Sequence, residues 1–92
     1  MISDAFTLKP ATISMPDGSS MTIRRPSALD MVEAIAESKR APETFGAWLV
    51  YRHARDGDAP MFATLDEVLK CDAHAVAAVS AAIQKLYEEG RD

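Results

Sequence analysis

Cys71-Asp72-Ala73-His74 sets a thiol and an imidazole three residues apart, a spacing that on one helical face could share a metal ion or pair a nucleophile with its base. Structural zinc takes four such ligands, and the chain offers one cysteine and two histidines, the other being His53. A catalytic Cys-His pair also needs an orienting group and an oxyanion hole, and no pattern here supplies either. The pair therefore reads as a small buried thiol beside a helix-start histidine. Asp56, Asp58, Asp66 and Glu67 raise calcium, but an EF-hand loop needs a further Asp or Asn and then Gly at fixed offsets, where Ala59-Pro60 stands. They read as turn and cap residues. The chain has no GxGxxG, P-loop, GxSxG or HExxH motif. The expectation is a protein without catalytic residues, cofactor or metal.

Aromatic and arginine side chains are the remaining candidates, because both are enriched where proteins bind proteins. Phe45 and Trp48 are assigned to the core of so small a domain. Val50, Tyr51, Arg52 and Arg55 remain as candidate partner-binding residues on the same helix. Arg24 and Arg25 are adjacent cations without interleaved aromatics, a poor nucleic-acid patch, and read as a solvated strand end.

The elements that position these residues follow from periodicity. Phe6, Leu8 and Pro10 alternate with Thr7, Lys9 and Ala11, and Met21 and Ile23 alternate with Thr22 and Arg24. Pro16-Asp17-Gly18-Ser19 between them has turn chemistry, so residues from about 5 to 25 are expected to form a β-hairpin. Pro10 cannot donate to a ladder and places the first strand at an edge.

After Pro26 the period becomes helical. Leu29, Val32, Ile35 and Ala36 form an apolar stripe over 28–39, with Ser27 as N-cap, Asp30 in the first turn and Lys39 and Arg40 at the end. Pro42 opens a second helix, 43–55, weakened by Gly46, and Asp56-Gly57-Asp58-Ala59-Pro60 breaks it. Thr64-Leu65-Asp66-Glu67 has the capping-box form and starts a short helix, 65–70. Asp72 caps a closing helix, 73–89, striped by Val76, Val79, Ile83, Leu86 and Tyr87, with Gly90 as its C′ residue. The expected fold class is α+β: a single helix-dominated domain over residues 1–92, an N-terminal hairpin on three or four helices whose apolar stripes meet in one core.

Composition narrows the function class. With 92 residues, 48% hydrophobic and 26% charged, the chain can bury one core and is no disordered polymer. A net charge of -4 and a pI near 5.0 argue against nucleic acid and anionic lipid. No apolar run approaches the roughly 18 to 20 residues of a membrane span, and the first residues do not resemble a signal peptide. A lone cysteine fits a reducing compartment, so the cytoplasm is the expected location.

Thr22-Ile23-Arg24-Arg25-Pro26-Ser27 leading into a helix with Asp30, then Asp56-Gly57, Pro60-Met61-Phe62 and Thr64-Leu65-Asp66-Glu67-Val68-Leu69, resembles the tail assembly chaperones of long-tailed bacteriophages and prophages. The likeness spans about residues 21 to 86. It implies a non-enzymatic protein of the host bacterial cytoplasm that holds the tape measure protein and recruits subunits of the major tail protein before the tail polymerises. Whether it forms a homo-oligomer stays open. The alternative from another class is a small adaptor or regulatory protein of the toxin-antitoxin type, binding a partner protein or DNA.

Overall fold

The computed structural model describes residues 6–89. Two antiparallel strands, β1 (Pro10–Ser14) and β2 (Ser20–Arg24), form the expected hairpin. Its turn is closed by Met15 and Ser19, with Gly18 at φ +88° and the Asp17 carboxylate accepting from the Ser19 amide and hydroxyl. Among the described residues pairing starts at Pro10, at the edge of the sheet; residue 5, where the hairpin was expected to begin, lies outside them. Phe6 and Leu8 precede the strand and are exposed.

The helix α1 (Ala28–Arg40) follows, then a 3-10 turn over Pro42–Thr44 and α2 (Phe45–His53). α2 stops short of the expected residue 55, because Ala54 and Arg55 extend and pair with Ile23 and Thr22 of β2. The segment read as a plain break is itself a hairpin. β3 (Ala54–Asp56) turns through Gly57-Asp58 into β4 (Ala59–Pro60), giving a four-stranded antiparallel sheet in the order β1-β2-β3-β4 among the described residues. Gly57 has φ +64°, which suits the first central position of a type II′ hairpin turn, and Pro60 sits on the second edge.

Helix α3 (Leu65–Leu69) is capped by Thr64, whose hydroxyl accepts from the Glu67 amide. The Glu67 carboxylate reaches the Ala63 amide, one residue earlier than a capping box predicts. Asp72 caps α4 (Ala73–Glu89) by accepting from the amides of His74 and Ala75. The C′ role expected of Gly90 falls outside the described residues.

The fold is α+β, with the core between the sheet, α2, α3 and α4. Ile23, Leu49, Val50, Ala54, Val68, Val79 and Ile83 are buried together, and Phe45, Trp48, Leu86 and Tyr87 pack against them. α1 contradicts the expectation of stripes meeting in one core. Its stripe faces outward: Leu29 is 61% exposed, Val32 65% and Ile35 54%, while Asp30 and Ala34 are its buried residues.

Candidate functional site: a buried ion cluster and the helix face it presents

The cluster starts at the first turn of α1. The Ser27 hydroxyl accepts from the Asp30 amide, and the Asp30 carboxylate accepts from the Ser27 amide at 2.8 Å, a complete capping box. That carboxylate is almost wholly buried and accepts three further bonds. Arg24 donates to Oδ2 at 2.6 Å and to Oδ1 at 3.0 Å, and the Arg52 Nε donates to Oδ1 at 2.6 Å. Each oxygen thus receives two donors, the full capacity of an ionised carboxylate. Arg52 also pairs with Glu33 and lies over the Trp48 ring at 5.2 Å, so two cations and two anions balance. Burial alone would raise the Asp30 pKa, but hydrogen bonds from Arg24, the Ser27 amide and Arg52 outweigh it and hold the carboxyl well below the usual carboxylate range. For Arg52, burial opposes the charge, and the bonds to Asp30 and Glu33 outweigh it and raise its pKa.

Fully buried His53 joins this cluster to α4. Its Nδ1 lies 2.7 Å from the carbonyl oxygen of Arg24, which can only accept, so the proton sits on Nδ1. Nε2 is then free to accept from the Tyr87 hydroxyl at 2.6 Å, and the two rings meet edge to face. Burial lowers the His53 pKa, against the bond to Arg24 and the Asp30 charge, which raise it; the neutral ring fits both bonds. Burial likewise pushes the Tyr87 hydroxyl up to about 12. The histidine makes no hydrogen bond to Asp30, and both its nitrogens are engaged with fixed partners. Chemically this is a clamp: it ties β2, α1, α2 and α4 and orients them.

What the clamp presents is the outer face of α1. A groove of about 240 Å³ runs between α1 and α4, with Met31, Ala34, Phe45, Leu49 and Tyr87 among its walls and Ser38, Gln84 and Glu88 as polar lining. Ile35 belongs both to the groove and to the exposed stripe, so the two are continuous.

The expected partner-binding residues fare differently. Val50 is 2% exposed and part of the core, so it offers no surface, because the inner side of α2 is wedged between the sheet and α4. Arg52 is committed to Asp30 and Glu33. Tyr51 is half-buried against the core. Arg55 lies on β3 opposite Thr22, away from the helix on which it was expected. Arg24 is no solvated strand end but part of the clamp, whereas Arg25 is exposed. Cys71 is exposed, not buried, and donates weakly to the Glu67 carbonyl. Among the described residues no three His, Cys, Asp or Glu side chains converge as metal ligands would. Nor is any of their helices long and apolar enough to cross a membrane.

Sequence reasoning read Asp30 only as a first-turn charge, because position N3 of a capped helix already explains an aspartate, and gave His53 no role beyond counting against a metal set, because a lone histidine makes no motif. The Ser27 to Asp30 spacing was the only local signal. No family model, curated protein or solved structure matches this chain.

Proposed function

We propose that this protein is a non-catalytic protein-binding domain that serves as a tail assembly chaperone of a long-tailed phage or prophage. In the host cytoplasm it holds the tape measure protein and recruits tail tube subunits. The observation that carries the binding role is the outward apolar stripe of α1, Leu29, Val32 and Ile35, held in that orientation by a buried ion cluster on the helix's other side. Contiguous exposed apolar side chains rimmed by charge are a liability in a free monomer and the usual form of a site for an apolar partner. Contact passes through α1, and not through the Val50 to Arg55 segment of the chain. The phage assignment itself rests on the resemblance of residues 21 to 86 described above.

Co-expression with the tape measure protein encoded in the same genome tests this reading. The wild-type chain raises the soluble fraction of the tape measure protein and co-purifies with it, and a Val32→Asp, Ile35→Asp variant that keeps its fold by circular dichroism does neither. A tape measure protein that is equally insoluble with and without the chain overturns the chaperone role and leaves the adaptor reading in its place.

A further inference from the structure

Each ring nitrogen of His53 has one partner, and the two partners differ in how far they can move. Nδ1 faces the Arg24 carbonyl, which belongs to the backbone of β2 inside the sheet. Nε2 faces the hydroxyl of Tyr87, a half-buried side chain in the last turn of α4 that also forms a wall of the groove between α1 and α4. The imidazole itself is fully buried, so water reaches it only where a partner gives way. Tyr87 is the partner that can.

The bonding pattern holds only for the neutral ring. With Nδ1–H donating to a carbonyl, a second proton has to go onto Nε2, where the Tyr87 hydroxyl already donates at 2.6 Å. Two hydrogens then point at each other, and among the described residues the hydroxyl has no other acceptor to turn to. It cannot relieve the conflict by ionising, since burial pushes it up to about 12.

Charge opposes the extra proton as well. Arg24 from β2 and Arg52 from α2 stand against Asp30 and Glu33 from α1, two cations on two anions, and a protonated ring makes a third cation. Asp30 has no acceptor site left to offer it. β3 adds only another cation, Arg55, while Glu88 and Glu89 of α4 are exposed to water, Glu89 with Arg25 at 3.9 Å. A buried cation without an anion of its own has to be hydrated.

We infer that His53 and Tyr87 form a proton-operated latch on the groove between α1 and α4: a proton on Nε2 drives the Tyr87 ring out of its seat, lets water onto the imidazolium and widens the groove at its α4 wall. The direction in pH follows from burial, which lowers the His53 pKa from its ordinary 6.5. The unfolded chain therefore takes up this proton first. The latch is fully shut above about pH 6.5, and its stabilisation drains away as pH falls from there toward the lower folded value. The latch stands on the geometry of the described residues alone, whereas its effect on a partner in the groove rests on the protein-binding reading.

The test uses the full chain without a partner, with 15N in its histidine rings and 13C in its tyrosine rings. The chain has two histidines and two tyrosines, so His74→Gln and Tyr51→Phe leave one signal of each kind. At about pH 8 the ring nitrogens report a neutral His53 with its proton on Nδ1. On acidification the ring takes its second proton before the chain unfolds. With the same midpoint the Tyr87 ring becomes open to relaxation by a soluble gadolinium chelate, while the methyl signals of Val79 and Ile83 keep their folded positions. Tyr87→Phe raises that midpoint, since a donor to Nε2 favours the neutral ring; an unchanged midpoint overturns the latch. So does a His53 that stays neutral until the chain unfolds. A ring that titrates while Tyr87 stays as shielded as before overturns it too, because the hydrogen bond has then merely reversed its direction. None of these outcomes involves the tape measure protein, so the latch and the chaperone role can fail separately.

Discussion

Helices α1 and α4 carry the same kind of apolar stripe and treat it in opposite ways. On α4, Val79 and Ile83 are sealed into the core against α2, where Gly46 admits the close approach: a Cβ at that position would lie 3.0 Å from the Ser80 Oγ. On α1, Leu29, Val32 and Ile35 face water while a carboxylate is buried beneath them. An unpaired buried carboxylate would turn such a helix over, since its desolvation costs several kcal/mol. Here four donors, from β2, from the Ser27 N-cap ahead of α1 and from α2, meet it, and the helix stays with its polar anchor inward. Periodicity reports that a helix has two faces; which one goes inside is decided by what the neighbours offer.

The largest expected effect comes from cutting the anchor. Asp30→Ala removes the shared partner of Arg24 and Arg52 and lowers stability by about 3 to 5 kcal/mol in urea unfolding. The change also reshapes the acid limb. The folded-state pKa of Asp30 lies below its usual value of 3.8, so the unfolded chain binds more protons than the native one in acid. Its stabilisation is complete above about pH 4 and drains away as pH falls through that value toward the lower folded one. The variant's stability profile is accordingly flatter below pH 4. A midpoint unchanged by Asp30→Ala would show that α1 is held by something other than this cluster, and the contrast with α4 would lose its cause.

Next in size is the core side of the comparison. Ile83→Ala empties a fully buried position on α4 and costs about 2 to 4 kcal/mol, read again from the urea midpoint. A cost near zero would place the α4 stripe in the same class as that of α1.

The contrast also marks how far the sequence could be read. The hairpin, the helix starts at Ser27, Thr64 and Asp72, and the buried stripe of α4 were legible, because turn residues, caps and a period of 3.6 act locally. β3 was not, since Ala54 and Arg55 continue a helical stretch until β2 pairs with them. The clamp was hidden for a related reason. Arg24, Asp30, Arg52, His53 and Tyr87 span 64 positions of chain, and nothing in their spacing announces that they meet. Once Asp30 is read only as a first-turn charge, the outward stripe of α1 reads as core, and Val50, which the structure buries, reads as surface.

The smallest effect is expected on that outward stripe, and it tests the comparison most directly. Val32→Ala and Ile35→Ala delete the same kinds of methyl groups as changes at Val79 and Ile83, at positions where most of the side chain already lies in water. Little transfer free energy is lost and no cavity forms, and alanine slightly favours helix over a β-branched residue. Each should therefore change stability by no more than about 0.5 kcal/mol in the isolated chain. The same substitutions should weaken partner capture, because there the methyl groups do become buried. Stability and binding would then respond to different helices: α4 variants unfold the protein, and α1 variants leave it folded but unable to hold its partner. A loss of 2 kcal/mol or more at Val32, on the scale of a core truncation, would mean that α1 buries its stripe in solution and that the exposed face is no binding surface at all.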